Sequence, residues 1–251
     1  MSSLPLTLPH GSAAITVDVA AHIDITLCIS PSEQPNAFFL PRAVFEPYRN
    51  GSFVASVELG GIVRCDVITF APHGNGTHTE CIGHVAGQRY RLPQCMTDLV
   101  DVAHLVTVPI TEHDGDQVIT REALEHAWSD AGCTTLVVRT TPNSDTKKLR
   151  QWSGTNPPYV HAEAMQLIVD RGVRHLLIDL PSVDREESGG ELPAHWTFWQ
   201  WPAAPRESCT ITEFIYVPDA VTDGIYGIMF NIAGFDGDAA PSRPQLLPVI
   251  Q

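Results

Sequence analysis

Three histidines and one glutamate fall within twelve residues of this 251-residue chain, in the segment HGNGTHTECIGH. They are His73, His78, Glu80 and His84. Imidazole nitrogens and carboxylate oxygens suit zinc, manganese or iron better than magnesium or calcium. A divalent metal held in this way lowers the pKa of a water molecule to about 7 and polarises a carbonyl group. The cluster therefore predicts a site for a divalent metal ion.

The spacing of these residues indicates how they could converge. His78 and Glu80 are two residues apart, so in an extended segment both side chains would point to the same side. His84 lies four residues beyond Glu80 and would return to that side if the chain coils there. Glycines within the segment permit positive φ angles and let the backbone approach an ion closely. A histidine-rich surface loop without a metal is the alternative.

The elements before and around this cluster read mainly as strands and loops. Residues 14–29 are rich in β-branched side chains and predict one or two strands. Residues 30–50 contain four prolines and show no helical or strand period, which predicts a long loop. Residues 53–70 predict a hairpin with Gly60-Gly61 as its turn. The cluster would follow this hairpin directly.

After residue 100 helices alternate with strands. One helix is predicted over 120–132, with Thr120 as its N-cap and Gly132 just after its end, and a second within 160–173. Strands are predicted at 99–110, 134–141, 175–180, 209–217, 224–234 and 245–250. Successive helix–strand units imply parallel pairing through right-handed crossovers. We therefore expect residues 1–251 to form one α/β domain.

Composition and charge disfavour several classes of function. With 15 basic and 29 acidic residues the chain carries a net charge of −14, which argues against affinity for nucleic acid or anionic membranes. No stretch reaches the roughly 18 apolar residues of a membrane span, and the N-terminus does not resemble a signal peptide. Six scattered cysteines without a CxxC pair indicate reduced thiols. We expect a cytoplasmic protein with a small-molecule substrate.

The segment HGNGTHTECIGH resembles the signature of the cyclase family of metal-dependent hydrolases, which includes bacterial kynurenine formamidase and isatin hydrolase. That signature is a histidine, a short glycine-containing spacer, Gly-Thr-His, any residue, an acid, three residues and a final histidine. Weaker similarity extends over residues 15–250, through VDVAAHIDITL, HLLIDLPSVD and GFDGDAAPSRPQLLPV. The chain departs from the pattern at Glu80, where aspartate is usual, at Ile82, where proline is common, and in one extra residue between His73 and His78.

This resemblance implies a swivelling β/β/α fold with a mixed sheet and helix–strand crossovers. It also implies hydrolysis of an amide-type bond, such as that of a formamide or a lactam, with one or two divalent ions, zinc or manganese. The first ion would be bound by His73, His78 and Glu80. A homodimer or homotetramer is implied as well.

The resemblance also gives functions to residues that the sequence alone would pass over. His84, His195 and Glu213 would bind or serve a second ion, or move protons, with His84 and Glu213 as the catalytic candidates. Without the resemblance, His195 reads as an incidental loop histidine and Glu213 as a solvent-facing residue of a strand.

Aromatic residues near these positions are candidates for the walls of a substrate site. Phe38 and Phe39 lie in the early loop and Trp196 follows His195. Phe45 and Trp199 are further candidates, and ordinary core packing is the alternative for all five.

Three other functions remain open at this point. Cys81, next to the acid, could act as a nucleophile if nearby histidines lower the pKa of its thiol. The chain could be an inactive ligand-binding protein, or a metal-dependent lyase or dehydratase. A serine hydrolase is disfavoured, because no GxSxG segment is present. Asp184, in the turn after the predicted strand at 175–180, reads as a structural residue that caps or supports a loop.

Overall fold

A computed structural model describes residues 2–129 and 131–250 of the chain. Within these residues the six α-helices are α1 (Pro72–Asn75), α2 (Gly83–Ala86), α3 (Leu92–Cys95), α4 (Arg121–Ala127), α5 (Ala162–Asp170) and α6 (Pro193–Trp199). The eighteen strands of the same residues are β1 (Pro5–His10), β2 (Ala13–Asp18), β3 (Ile23–Asp24), β4 (Val44–Pro47), β5 (Arg49–Asn50), β6 (Phe53–Val54), β7 (Asp66–Thr69), β8 (His78–Cys81), β9 (Val100–Pro109), β10 (Thr111–His113), β11 (Asp116–Ile119), β12 (Thr135–Thr141), β13 (Tyr159–Val160), β14 (His175–Ile178), β15 (Thr210–Glu213), β16 (Gly224–Met229), β17 (Ala239–Pro241) and β18 (Gln245–Pro248). Short 3-10 helices lie at Val19–Ala21 and Asp145–Leu149.

Nine strands of the described residues form one mixed sheet in the order β17-β8-β15-β14-β12-β9-β16-β18-β3. The central strands β9, β12, β14 and β15 are parallel to one another, and the flanking strands pair antiparallel. A parallel strand covered on both faces needs a continuous apolar run, and β14 is buried along its whole length. The predicted parallel pairing and mixed sheet are confirmed.

The two longer predicted helices are present, but the first is shorter than expected. α4 begins at the predicted cap, because Thr120 Oγ1 accepts a hydrogen bond from the Ala123 amide at 3.2 Å. It ends at Ala127 rather than near Gly132, so the predicted role of Gly132 as the residue after the helix is wrong. The reason is tertiary: Trp128 is extended and buried, and Arg171 covers its ring and donates to its carbonyl oxygen.

The predicted hairpin over residues 53–70 is also wrong. β6 pairs with β5 across a tight turn at Gly51, and β7 pairs with β4, which lies in the segment predicted to be a loop. Gly60 lies in a separate turn inside this unit. We call residues 44–69, from β4 to the end of β7, the arm.

The sheet brings the histidine-rich segment next to strands made much later in the chain. β8 lies between β15 and β17, and in this register His78 faces Glu213 on one side and Pro241 on the other. Thr77, directly before β8, connects this strand to two other segments: its hydroxyl donates to the Phe214 carbonyl oxygen and accepts from the Leu27 amide. Among the described helices, none has the length and apolar character to cross a bilayer.

Candidate metal centre

The strand β8 places His78 and Glu80 on the same face, as their spacing predicts. Both side chains are fully buried, and ligand atoms of His73, His78 and Glu80 all lie within 4.8 Å of one another. The alternation of the strand directs Cys81 to the opposite face. There the Cys81 thiol is buried, and hydrogen bonding to Cys95 together with burial raises its pKa. A raised pKa suppresses the thiolate, which speaks against Cys81 as a nucleophile.

His73 reaches the cluster in spite of the extra residue before His78. The additional residue is accommodated in the single helical turn α1. Buried Asn75 stabilises this turn: its side chain accepts a hydrogen bond from the Ala71 amide and donates one to the Pro41 carbonyl oxygen. The turn ends at Gly76, where φ is +154° and an added Cβ would lie 2.7 Å from the Leu27 carbonyl oxygen. Glycine is therefore required there. As a result His73 Nδ1 lies 3.1 Å from Glu80 Oε2.

His84, on the short helix α2, is the outer member of the cluster. Its Nδ1 lies 3.7 Å from Glu80 Oε2, and its ring centroid is 4.4 Å from that of His73 and 5.3 Å from that of His195. The side chain is 29% exposed, whereas that of Glu80 is fully buried. His84 therefore connects the buried carboxylate with the opening of the site.

His195 is not a loop residue but lies in the helix α6, where it is buried. Asp184 fixes this position: its carboxylate accepts from the backbone amides of Ala194 and His195 and from His195 Nδ1, the last at 2.6 Å. His195 Nε2 is thereby directed at Glu80 Oε1, 3.0 Å away. The loop-supporting part predicted for Asp184 agrees with these contacts, and the carboxylate also orients a histidine of the cluster.

Glu213 lies in β15 and is buried rather than facing solvent. Its Oε1 accepts a hydrogen bond from the Val183 amide at 3.0 Å and lies 3.9 Å from His195 Nε2. Its Oε2 lies 3.4 Å from His78 Nε2. The structure thus brings all six predicted site residues together around Glu80 and Glu213, while their individual ligand and catalytic roles stay predictions.

Asp238 belongs to the same cluster, although the sequence did not single it out. It comes directly before β17, whose pairing with β8 carries it to the site. Asp238 Oδ2 lies 3.0 Å from His73 Nε2 and 3.4 Å from His84 Nδ1. No local pattern marks it, because GFDGDAAP reads as an ordinary turn.

Three histidines of the cluster share one arrangement: one ring nitrogen bonds outward and the other points inward. His78 Nδ1 contacts the Gly76 carbonyl oxygen at 3.0 Å, His195 Nδ1 contacts Asp184, and His73 Nε2 contacts Asp238. Such outward partners select the tautomer and orientation of metal-binding histidines. The inward nitrogens are His78 Nε2, His195 Nε2 and His73 Nδ1.

Two inward atoms test whether a metal fits. Within the described residues, His78 Nε2 and Glu80 Oε2 are buried and have no hydrogen-bond partner of suitable geometry. A buried polar atom without a partner costs roughly 1–3 kcal/mol, and such atoms are rare unless an ion or water satisfies them. Histidine nitrogens and carboxylate oxygens are the donor set of zinc and manganese. The residues present therefore fit a divalent metal.

The carboxylates set the protonation of this cluster. Burial disfavours imidazolium, but Asp238 and Glu80 outweigh it and raise the pKa of His73 to about 10. For His195, burial is likewise outweighed, by Glu80 and Asp184, and the pKa rises to about 10. Burial opposes ionisation of Glu80, yet His84 and His195 hold its pKa well below the ordinary value. Without a metal, ionised Glu80 therefore lies between the protonated rings of His73 and His195.

Metal binding should release protons from these rings. With pKa values of about 10, His73 and His195 carry protons near neutral pH, and a ring nitrogen must lose its proton before it can bind an ion. We expect roughly two protons to be released per chain at about pH 7.5, and the apparent affinity to increase with pH up to about 10. Calorimetry in buffers of different ionisation enthalpy measures this number. A pH-independent affinity without proton release would contradict the expectation.

Asp238 gives a second prediction. In Asp238→Ala, His73 Nε2 loses its acceptor, so the tautomer that carries its proton on Nε2 and leaves Nδ1 free to bind an ion is no longer selected. We expect metal affinity to fall by about 10- to 100-fold, with thermal stability little changed because the Asp238 side chain is 42% exposed. Competition with a chromophoric chelator measures the affinity. The control is Asp236→Ala, which removes a 77% exposed carboxylate two residues away; equal affinities of the two variants would overturn the assignment.

A cavity of about 340 Å³ opens onto the cluster. It is lined by His73, His84, His195 and Glu213, by the apolar Phe38, Leu40 and Leu192, and by Ser182, Arg185, Glu186 and Ser188. Phe38 was a predicted wall of the substrate site. The other predicted walls do not line this cavity: Phe39 and Trp196 are exposed, Phe45 lies in the arm, and Trp199 is buried behind His195.

Comparison with known proteins gives consistent matches. A family model described as putative cyclase matches residues 17–185. Kynurenine formamidase of Bacillus cereus (strain ATCC 10987 / NRS 248) is 25% identical over 193 residues, 76% of this chain and 84% of that protein. An isatin hydrolase bound to the product analogue thioisatinate superposes with a TM-score of 0.66 at 16% identity, covering 92% of this chain and 93% of that chain. A structure described as a predicted metal-dependent hydrolase from Bacillus stearothermophilus superposes with a TM-score of 0.63 at 21% identity. The match covers 90% of this chain and 97% of that chain. The expected swivelling fold is confirmed.

Proposed function

The chain belongs to the cyclase family, and from that membership we propose that it is a metal-dependent hydrolase that cleaves an amide-type C–N bond, such as that of a formamide or a lactam. The observation that carries the proposal is the pair of buried atoms without a hydrogen bond of suitable geometry, His78 Nε2 and Glu80 Oε2, among histidines whose other nitrogens are bonded outward. The names of the relatives, kynurenine formamidase and isatin hydrolase, support the bond type.

The ligand set follows from the inward atoms. His73, His78 and Glu80 would hold one ion. Glu80, His195 and Glu213 would hold a second ion or support the first, since His195 Nε2 lies near both carboxylates. When bound, zinc or manganese would lower the pKa of a water molecule and polarise the substrate carbonyl. Glu80 is central to both sets, because it lies within 3.1 Å of both His73 and His195.

His84 is the group that we assign to proton transfer. It lines the cavity and is partly exposed, so it can approach the leaving nitrogen of a bound substrate. The rings of His73, His78 and His195 are held in place by their outward hydrogen bonds, whereas His84 is the histidine that we leave free for proton transfer. Asp238 and Glu80, both within 4 Å of His84 Nδ1, would stabilise the ring when it carries the proton.

The cavity indicates the kind of substrate. A volume of about 340 Å³ is near the lower end for small-molecule sites. Phe38, Leu40 and Leu192 offer apolar walls, while Ser182 and Ser188 offer hydroxyl groups. These surfaces suit a small, mostly apolar molecule with a few polar atoms, such as an aromatic formamide or a cyclic amide. A substrate surrounded by these side chains would have little bulk water around its scissile bond.

The experiment is metal analysis followed by activity assays. We expect untagged protein to contain zinc or manganese, His78→Ala to lose it, and the wild type to add water to at least one member of a panel of formamides, lactams and imides. Chelation should abolish turnover and metal should restore it, whereas a thiol enzyme would survive chelation. A product without added water would indicate a lyase. If resupplied wild-type protein retains no metal, the proposal fails.

A further inference from the structure

Two neighbouring residues outside the cavity are hydrogen-bonded to the chain segments on both of its sides. They are Ser153 and Gly154, the central residues of a turn in which the Thr155 amide donates to the Trp152 carbonyl oxygen at 3.0 Å. Neither of them lines the cavity in the described structure. We call Ser153 and Gly154 the clasp.

On one side the clasp holds the loop that carries Phe38, a residue of the cavity wall. The Phe39 amide donates to Ser153 Oγ at 2.9 Å. Phe38 and Phe39 have φ angles of +59° and +53°, in the left-handed region that bulky side chains rarely adopt. Such conformations cost free energy and persist only where the surrounding structure holds them. The hydroxyl group of Ser153 therefore helps to keep Phe38 in the wall.

The chain before the clasp is itself firmly attached to this loop. Trp152 is buried in an apolar cluster against which Phe38 packs. Its amide donates to the Asn36 carbonyl oxygen at 2.8 Å, and the Asn36 amide donates to the Arg150 carbonyl oxygen at 3.2 Å. The bond to Ser153 continues this pairing as far as the two phenylalanines. The clasp is thus a fixed point for the Phe38 side of the cavity.

On the other side the clasp holds the segment that precedes α6. The Gly154 amide donates to Glu186 Oε2 at 2.8 Å, and Glu186 lines the cavity. Asp116 adds an indirect connection to the same turn, because its carboxylate accepts from Asn156 Nδ2 and pairs with Arg185. Arg185 is also a wall residue. One short stretch of chain is therefore bonded to both walls.

We propose that Ser153 is a positioning residue that fixes the distance between the Phe38 wall and the Glu186 wall, and that it thereby limits the size of the substrate. A cavity of about 340 Å³ is near the lower end for small-molecule sites, so a small outward movement of one wall changes which molecules fit. The inference rests on the proposed function, since it concerns the substrate of that same site. Loss of the Ser153 hydroxyl should alter the fit of a substrate more than the chemistry at the metal.

The test uses metal-loaded, full-length protein and two formamides of different size, formanilide with one ring and 1-naphthylformamide with two fused rings. For formanilide, Ser153→Ala should raise KM by about 10-fold and leave kcat within about threefold of the wild-type value. For the naphthyl compound, kcat/KM should stay unchanged or increase. The preference for the smaller substrate, expressed as the ratio of the two kcat/KM values, should therefore fall by about 10-fold.

Two further variants separate this effect from a general loss of stability. Ser153→Thr keeps a hydroxyl group and should retain the wild-type preference. Ser52→Ala is the matched control, because Ser52 is an exposed serine in the turn between β5 and β6. A protein that is only destabilised loses active molecules equally for both substrates, so its preference does not change. An unchanged preference in Ser153→Ala overturns the proposal.

Hydrogen exchange gives a measurement that needs no substrate. In Ser153→Ala, amides of residues 38–40 should exchange at least about 10-fold faster than in the wild type, while those of β9 and β12 stay protected. Unchanged exchange at residues 38–40 also overturns the proposal. If the wild type hydrolyses neither formamide, the proposed function fails. The calorimetric affinities of the same two compounds then replace kcat/KM in the ratio, and the inference about Ser153 is decided by that ratio and by the exchange rates.

Discussion

Glu80→Gln should leave the protein folded but unable to retain metal. The substitution keeps the size of the side chain and removes the one negative charge that His73, His84 and His195 share. A neutral amide is a poor ligand for zinc or manganese and no longer favours protonated rings around it. We expect metal affinity to fall by at least about 1,000-fold, or about 4 kcal/mol. Turnover should fall by a similar factor or more, since the chemistry depends on the bound ion.

The measurement is metal content after dialysis, together with activity in excess metal. Glu80→Asp is the informative companion, because it keeps the charge and restores the acid that is usual in the family; it should retain metal with reduced affinity. Glu207→Gln serves as the control, since Glu207 accepts a hydrogen bond from the Tyr90 hydroxyl outside the cluster. A Glu80→Gln protein with full metal content would refute the ligand assignment for this residue.

Asp184→Ala should damage both stability and the site. Its carboxylate accepts three hydrogen bonds, from two α6 amides and from His195 Nδ1, and the residue is only 4% exposed. Removing it leaves buried donors without partners at a cost of roughly 3 kcal/mol or more. It also frees the His195 ring, so metal affinity should fall by about 10- to 100-fold.

Urea unfolding of metal-free protein separates the two effects, because that measurement contains no contribution from the ion. Asp184→Asn is the second variant. The asparagine side chain has the same volume, but it is uncharged and has only one oxygen to accept the three hydrogen bonds. Asp114→Ala, at a side chain that is 94% exposed, is the control for loss of an aspartate. If Asp184→Ala unfolds at the same urea concentration as the control, the buried network is not supporting α6.

The parts of this fold that the sequence predicted are those governed by local chemistry. Thr120 caps α4 through its own hydroxyl, and the apolar run of β14 suits a strand covered on both faces. His78 and Glu80 share a face because strand alternation has a period of two. Each of these depends on neighbours a few residues away, which a single sequence displays.

The parts that the sequence did not predict depend on distant packing. Gly60-Gly61 has the composition of a hairpin turn, but the pairing of the arm is decided by β4 and Gly51. α4 ends early because Trp128 packs under Arg171, a residue of a later turn. Asp238 reaches the cluster only through the pairing of β17 with β8. Neither composition nor spacing near Asp238 could have indicated a partner so much earlier in the chain.

The position of β8 between β15 and β17 has a consequence for biosynthesis. The ribosome makes His73, His78 and Glu80 in the first third of the chain, but His195, Glu213 and Asp238 emerge only in the last quarter. Until then β8 has neither neighbour, and loop closure over such separations is slow. A nascent chain can therefore present at most an incomplete and weak set of ligands. Metal binding would be one of the last events of folding. It would therefore distinguish completely synthesised and folded chains from incomplete ones.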